Sequence, residues 1–456
     1  MRQGPGFYRQ VVTLALPIVM QNLITSMLGM ADTFMVGLLG EMPMASVTLA
    51  NIPLFVLQLF IFGVQSGASI LISQYWGKRD MESINRVLGV ALWVVLLVSM
   101  TFASVLLVCP VPFLGLFGNE PAVVELAARY GRVAGMSYVC NAVTMMYVAA
   151  YRSMERPKLG MYILTMSMTV NTFLNWVFIF GQLGAPALGV EGAALATLIA
   201  RMLEVVIVAV HFARNRFYRP RIALLLRPGT EMVRRFLRYG GLVVCNETMW
   251  GMGTSVFPTI MGHMAGSTEI LAAYTIVGNV EKICMVVAFG ISATASIIIG
   301  REIGAGRTER VLDMGKAMNT LAFMGGTVLG LLLLLFVRFV APVWVFPLFK
   351  LSPGAVSAAT MMITVLALHM SLRDFNSVNV VGVLRGGGDV KAAILIDLGP
   401  LWLCAIPYAA LCGLVLRLDL FWVYMAFPLE QIVKVALGVW RLRGGTWIHD
   451  MTRSNG

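Results

Sequence analysis

Six side chains with chemistry to offer sit inside otherwise apolar stretches: Asp32, Asn171, Asn175, Thr197, Glu247 and Asp374. Asp32 lies in Ala31-Asp32-Thr33-Phe34-Met35-Val36-Gly37, near the end of an apolar run from about Val11 to Leu39. A carboxylate inside a membrane helix costs about 2.5–3.5 kcal/mol on insertion scales, so it marks an ion or substrate pathway unless it snorkels to the headgroups. At 1.5 Å per helical residue, Asp32 lies roughly 12 Å below the loop expected at Gly40. Asn175, counted back from Gly184, and Thr197, counted on from Leu188, lie roughly 14 Å deep from the same side. Asn171 shares a helix face with Asn175, one turn deeper. Three segments therefore present a carboxylate, two amides and a hydroxyl at one level. Such oxygens suit Na+, and a buried carboxylate with amide neighbours also suits a proton. The alternative is that the asparagines only bond neighbouring helices.

A second group is expected from the opposite side. Glu247, counted from Arg238, and Asp374, counted back from Arg385, lie roughly 14–17 Å deep. Two carboxylates at similar depth can share a proton or hold a cation. Arg373 offers the opposite outcome, a structural ion pair with Asp374. Asn376 is placed to line the same cavity. Met27, Met249 and Trp250 are the candidate substrate contacts, since methionine adapts to varied ligands. Most of the 31 methionines should simply pack helices or face lipid. Glu281 and Lys282 should snorkel or pair with each other. Arg201 with Glu204, and Glu430 with Lys434, are spaced to pair along one helix. Asp397 should lie in the cytoplasmic third and latch a loop.

The elements that carry these residues follow from composition. The chain is 59% hydrophobic and 12% charged, about half the charge of a soluble protein. Long apolar stretches recur along its length, at roughly 11–39, 45–75, 86–112, 121–151, 158–182, 188–213, 235–262, 269–301, 310–340, 354–384, 390–415 and 420–441. That predicts an all-α polytopic membrane protein of about twelve spans. The first segment lacks a small-residue cleavage pattern and should stay as a span. The net charge of +12 gathers in the termini and alternate loops, including Lys78, Arg79, Arg152, Lys158, the run Arg214 to Arg238, Arg301, Arg385, Lys391 and Arg441. Arg338, Lys350 and Arg417 are the exceptions. This is the positive-inside pattern, with both termini cytoplasmic, and it does not indicate nucleic acid. Cys109, Cys140, Cys245, Cys284, Cys404 and Cys412 have no CxxC spacing and read as packing residues; the four histidines are scattered.

The chain repeats itself. Gly63, Ala68, Ser69, Ile70, Ile72 and Gly77 return 227 residues later as Gly290, Ala295, Ser296, Ile297, Ile299 and Gly304. Arg86-Val87-Leu88 returns as Arg310-Val311-Leu312, and the pair Arg152 and Lys158 as Arg385 and Lys391. The expected organisation is an N-terminal six-helix bundle (1–213), a cytoplasmic linker (214–234), a C-terminal six-helix bundle (235–441) and a cytoplasmic tail (442–456). Two pseudo-symmetric bundles in the same orientation predict a transporter. No nucleophile with a base, metal cluster or phosphate loop suggests an enzyme.

Ordered motifs along nearly the whole chain resemble the multidrug and toxic compound extrusion (MATE) family. They are Ala15-Leu16-Pro17 with Gln21-Asn22; Asp32-Thr33 and Val36-Gly37; Gly63-Val64-Gln65-Ser66-Gly67 leading to Gln74-Tyr75-Trp76-Gly77; Asn171-Thr172-Phe173-Leu174-Asn175; Gly189-Val190-Glu191-Gly192-Ala193-Ala194 through Thr197; and Leu384-Arg385-Gly386 followed by Asp389. The resemblance implies an antiporter that exports organic, often cationic, compounds against Na+ or H+, with no other cofactor. It implies cation-site roles for Asp32, Asn171, Asn175 and Thr197, with Na+ held through Asp32 and Asn175. In the NorM-type branch it adds Glu247 and Asp374. The expected setting is the plasma membrane, with lipids around a monomer. Alternatives are a lipid-linked oligosaccharide flippase of the same superfamily, which would need a strongly basic cavity, and a non-transporting scaffold or receptor, which gains nothing from buried carboxylates.

Overall fold

The computed structural model describes residues 4–118, 120–215, 217, 221–349 and 351–452. Lys350, Arg216 and Arg219 of the expected basic pattern, and tail residues 453–456, lie outside the described residues. Within them the chain is helical, with one isolated bridge between Gly388 and Ile448 and no strand. Twelve long helices follow one another: α1 Pro5–Gly37, α2 Glu41–Gly77, α3 Met81–Val108, α4 Pro121–Ser153, α5 Lys158–Phe180, α6 Val190–Arg214, α7 Leu242–Gly262, α8 Ser267–Gly304, α9 Thr308–Leu348, α10 Pro353–Leu384, α11 Val390–Val415 and α12 Leu420–Arg443.

Among the described residues, eleven of these are long and apolar enough to cross a membrane. The remaining one is α7. Its polar run Asn246-Glu247-Thr248 dilutes its hydropathy, although 21 residues reach roughly 30 Å. Local chemistry fixes several helix ends. The Asp80 carboxylate accepts from the Ser83 N–H (3.0 Å) to open α3, and Ser352 Oγ accepts from the Ala355 N–H (3.2 Å) to open α10. Gly181 ends α5 in the left-handed region (φ 69°), where a side chain would be strained. Pro17, Pro53 and Pro258 sit inside helices, and wide π turns occur at Val378–Leu384, Leu401–Ala405 and Leu411–Val415.

The chain divides into two compact units, Met20–Val244 and Met1–Val19 with Cys245–Gly456. The divisions fall inside α1 and α7, not in the linker. In the first unit the linker is a packed element. Its helix Ile222–Leu226 lies so close to α3 that a Cβ on Gly89 would sit 2.6 Å from the Leu225 carbonyl oxygen, and just past the linker Arg235 donates to Tyr75 Oη (2.6 Å). The repeated glycines do equivalent work. Gly63 on α2 leaves room for Val244, and Gly290 on α8 leaves room for Val19, each within its own unit. In the second unit Phe257, Ile363, Met370 and Leu401 anchor one apolar cluster, while Val11, Ile298, Val383 and Trp447 anchor another. Trp447 brings the tail into that core: it is fully buried against Gly315 and Gly387, and the His449 N–H donates to the Gly387 carbonyl (2.7 Å).

Candidate functional site

In the first unit, α1, α5 and α6 bring the four N-terminal candidates into one hydrogen-bonded chain. Asn171 Nδ2 donates to Thr197 Oγ1 (3.2 Å), and Asn175 Nδ2 donates to both Asn171 Oδ1 (3.1 Å) and Asp32 Oδ1 (2.5 Å). The i, i+4 spacing puts both amides on one face of α5, and both are buried. Asp32 is half-buried, so one end of the chain is reachable. No ion pair neutralises Asp32 among the described residues. The nearby basic residue Arg201 is bonded instead to the fully buried Glu204 (2.8 Å), the pairing that its spacing predicts.

This donor set has a definite chemistry. It combines one carboxylate, two amide oxygens and a hydroxyl, the hard oxygens that Na+ takes. Asn175 Oδ1 is buried without a hydrogen-bond partner among the described residues. A half-turn of that amide exchanges its oxygen and nitrogen, so the same side chain can donate to the carboxylate or offer a cation an oxygen. Among the described residues no group of three or more His, Cys, Asp or Glu is arranged to hold a metal.

The second unit departs from expectation. Glu247 and Asp374 share no hydrogen bond with each other among the described residues. Glu247 is bound to Arg385 (2.6 Å), a residue the basic pattern assigns to a cytoplasmic loop. Arg385 instead follows the wide turn of α10 and is fully buried, because Glu247 and Asp397 supply its counter-charges (2.6 and 3.5 Å). Asp397 does not latch a loop: it also binds Lys434 (2.8 Å) and accepts from Asn246 Nδ2 (2.9 Å). Lys434 keeps its expected bond to Glu430 (2.7 Å). Sequence reasoning missed this network as a whole. Its signal was present: Asp397 and Lys434 are opposite charges inside apolar runs at similar distance from basic helix ends.

Asp374 is buried, and its Oδ1 has no hydrogen-bond partner among the described residues. The Arg373–Asp374 pair, the alternative to a shared ion, does not form. Arg373 turns away from its neighbour and binds Glu281 on α8, which therefore neither snorkels nor pairs with Lys282. The consequence is measurable. Glu281→Gln should cost about 1–3 kcal/mol by stranding a guanidinium, whereas Asp374→Asn should leave the melting temperature close to that of the parent. A larger loss in Asp374→Asn would restore the discarded pair. Asn376 donates to the Gln431 backbone carbonyl and Oε1 (2.9 Å each), tying α10 to α12. Met27 and Met249 are exposed, and Trp250 packs against the larger apolar cluster of the second unit.

Repeated helical halves, built on helices long and apolar enough to cross a membrane, mark a polytopic membrane transporter. The chain belongs to the MatE family, whose profile matches residues 17–177 and 241–411. It is 23% identical over 449 residues to the probable multidrug resistance protein NorM of Thermotoga maritima, covering 97% of this chain and 94% of that one. The corresponding NorM protein of Mesorhizobium japonicum is 27% identical over 421 residues, covering 88% and 86%. The uncharacterized transporter YisQ of Bacillus subtilis is 24% identical over 441 residues, covering 96% and 94%. Among solved structures, a MOP superfamily transporter from Pyrococcus furiosus superposes with a TM-score of 0.85 at 19% identity, over 98% of this chain and 100% of that one. A eukaryotic MATE transporter superposes with a TM-score of 0.85 at 16% identity, over 98% and 97%. At these identities the structural matches speak for the fold.

Proposed function

We propose that this protein is a secondary multidrug antiporter that exports organic, cationic compounds in exchange for Na+ or H+ by alternating access. The observation that carries the reading is Asp32, a carboxylate within an apolar span and without an ionic partner among the described residues, held by Asn175 at the end of an amide and hydroxyl chain. Its insertion cost serves no packing purpose, and its oxygens are of the kind a hard cation or a proton takes. Curated relatives named as probable multidrug resistance proteins support the efflux role. Among the described residues Asp32 and Asp374 lack basic partners, while Arg373, Arg385 and Lys434 are each bound to carboxylates. That balance favours cationic substrates over the pyrophosphate of a lipid-linked oligosaccharide.

The setting of this reading is the plasma membrane, with both termini cytoplasmic and one chain, surrounded by lipid, sufficient for transport. Everted vesicles test the whole reading. Separately imposed Na+ and pH gradients should each be tried as the driving force for uptake of a fluorescent organic cation, and one of them should drive it. Uptake independent of both would sink the antiport reading. In the same vesicles a cysteine replacing exposed Ala223, with the native cysteines removed, should react with an impermeant maleimide. Reaction in intact cells instead would reverse the orientation.

A further inference from the structure

The stretch from Arg214 to Arg238, within the unit Met20–Val244, carries eight arginines and a single acid, Glu231. Glu231 is bound to Arg235 (2.9 Å). Arg221, Arg227, Arg234 and Arg238 are exposed, and none has an ion pair among the described residues. Large aliphatic side chains share this surface. Ile222 is 60% exposed, Leu226 58% and Leu237 55%. All three lie outside the twelve long helices, so no membrane span accounts for their exposure. The i, i+4 spacing sets Ile222 and Leu226 on one face of the short helix Ile222–Leu226, between Arg221 and Arg227. Further on, Met232 and Phe236 are buried and share the inner face of the helix Thr230–Phe236. That turns Arg234 outward, with Leu237 and Arg238 in the wide turn that follows.

Depth decides what covers this surface. The charge-free part of α3, Val87 to Val108, runs roughly 33 Å, close to the thickness of a hydrocarbon core. Gly89 lies in its first turn, and Gly89 is where the backbone of Leu225 meets α3. The short helix therefore lies at the boundary between hydrocarbon and headgroups. At that level an apolar face flanked by basic side chains is the pattern of an interfacial segment. A guanidinium fork also matches a phosphate with two parallel hydrogen bonds. We propose that this surface docks anionic phospholipid. Ile222, Leu226 and Leu237 enter the acyl boundary, and Arg221, Arg227, Arg234 and Arg238 hold the headgroup phosphates. The inference needs only the membrane-spanning fold and is independent of the coupling ion and the exported substrate.

The test uses purified full-length protein, immobilised in detergent and offered radiolabelled phosphatidylglycerol or phosphatidylcholine in mixed micelles. The protein should retain the anionic lipid over the zwitterionic one by ~10-fold or more at low salt. Replacing all four arginines, as Arg221→Gln, Arg227→Gln, Arg234→Gln and Arg238→Gln, should abolish that preference. Lysine at the same four positions keeps the charge and should keep most of it. The triple variant Ile222→Ser, Leu226→Ser, Leu237→Ser keeps every arginine and should retain several-fold less phosphatidylglycerol. Water-soluble glycerol 3-phosphate, which has the phosphate without the chains, should not displace the lipid. Equal retention of the two lipids by the parent protein would overturn the proposal, as would an undiminished preference in the glutamine variant. Displacement by glycerol 3-phosphate would make this a site for free phosphate and overturn the lipid assignment. Equal loss in the glutamine and lysine variants would also overturn it, because both would then report disrupted packing and not charge.

Discussion

Asp32→Asn is expected to give a folded, inserted protein whose ion-driven efflux falls to the background of vesicles without transporter. The substitution keeps the size of the side chain and removes only its charge. Asp32 is half-buried, and its hydrogen bond runs from Asn175 Nδ2 to its Oδ1. An asparagine oxygen can accept that same bond, so the chain through Asn171 to Thr197 has no reason to break. Insertion becomes easier, because an amide costs less than a carboxylate inside a membrane. What disappears is the one group in the cluster whose charge changes on binding a proton or cation. Melting temperature, surface expression and uptake under each gradient, measured on the same variant, separate coupling from folding. Wild-type uptake with unchanged ion dependence would remove the first unit's site from the mechanism. Thr197→Val, at the far end of the chain, should weaken the ion dependence and not abolish it, since it deletes one neutral oxygen of several.

The first unit was legible because its signals are local or periodic. Asn171 and Asn175 declare a shared face by spacing, and a rise of 1.5 Å per residue sets Asp32 and Thr197 at matching depth. Helix positions followed from apolar length, and the repeat of Gly63 as Gly290 carried through to equivalent close approaches at Val244 and Val19. The second unit was less legible for a physical reason. Depth along a helix says nothing about rotation around it, so Arg373 could be aligned with Asp374 in sequence and still point to Glu281. Adjacent residues on a helix lie about 100° apart and do not face each other. Arg385 was misread for a related reason. A basic residue at a helix end normally marks a cytoplasmic loop, but here the wide turn Val378–Leu384 delivers it into the interior, where acidic groups of α7 and α11 await it.

Arg385→Met should be the most destabilising single change proposed for this chain, at about 3–5 kcal/mol, the cost of removing one partner from a buried ion pair. Methionine keeps the apolar stem of the side chain and removes the charged head, so the loss reports electrostatics more than a cavity. Glu247 would keep no ionic partner, and Asp397 would keep only Lys434. The loop assignment drawn from the basic pattern makes the opposite forecast, since an exposed surface substitution changes stability by about 0.5 kcal/mol or less. Thermal unfolding of the detergent-solubilised protein therefore decides between an interior and a loop position for this residue. A second substitution tests the cause. Adding Glu247→Gln to Arg385→Met removes the stranded carboxylate and returns the buried network to its original net charge. The pair should recover part of the lost stability, giving a double-mutant coupling of roughly 1–3 kcal/mol. If the two losses simply add, Arg385 acts by filling space against its neighbours, and the ionic account of the buried network fails.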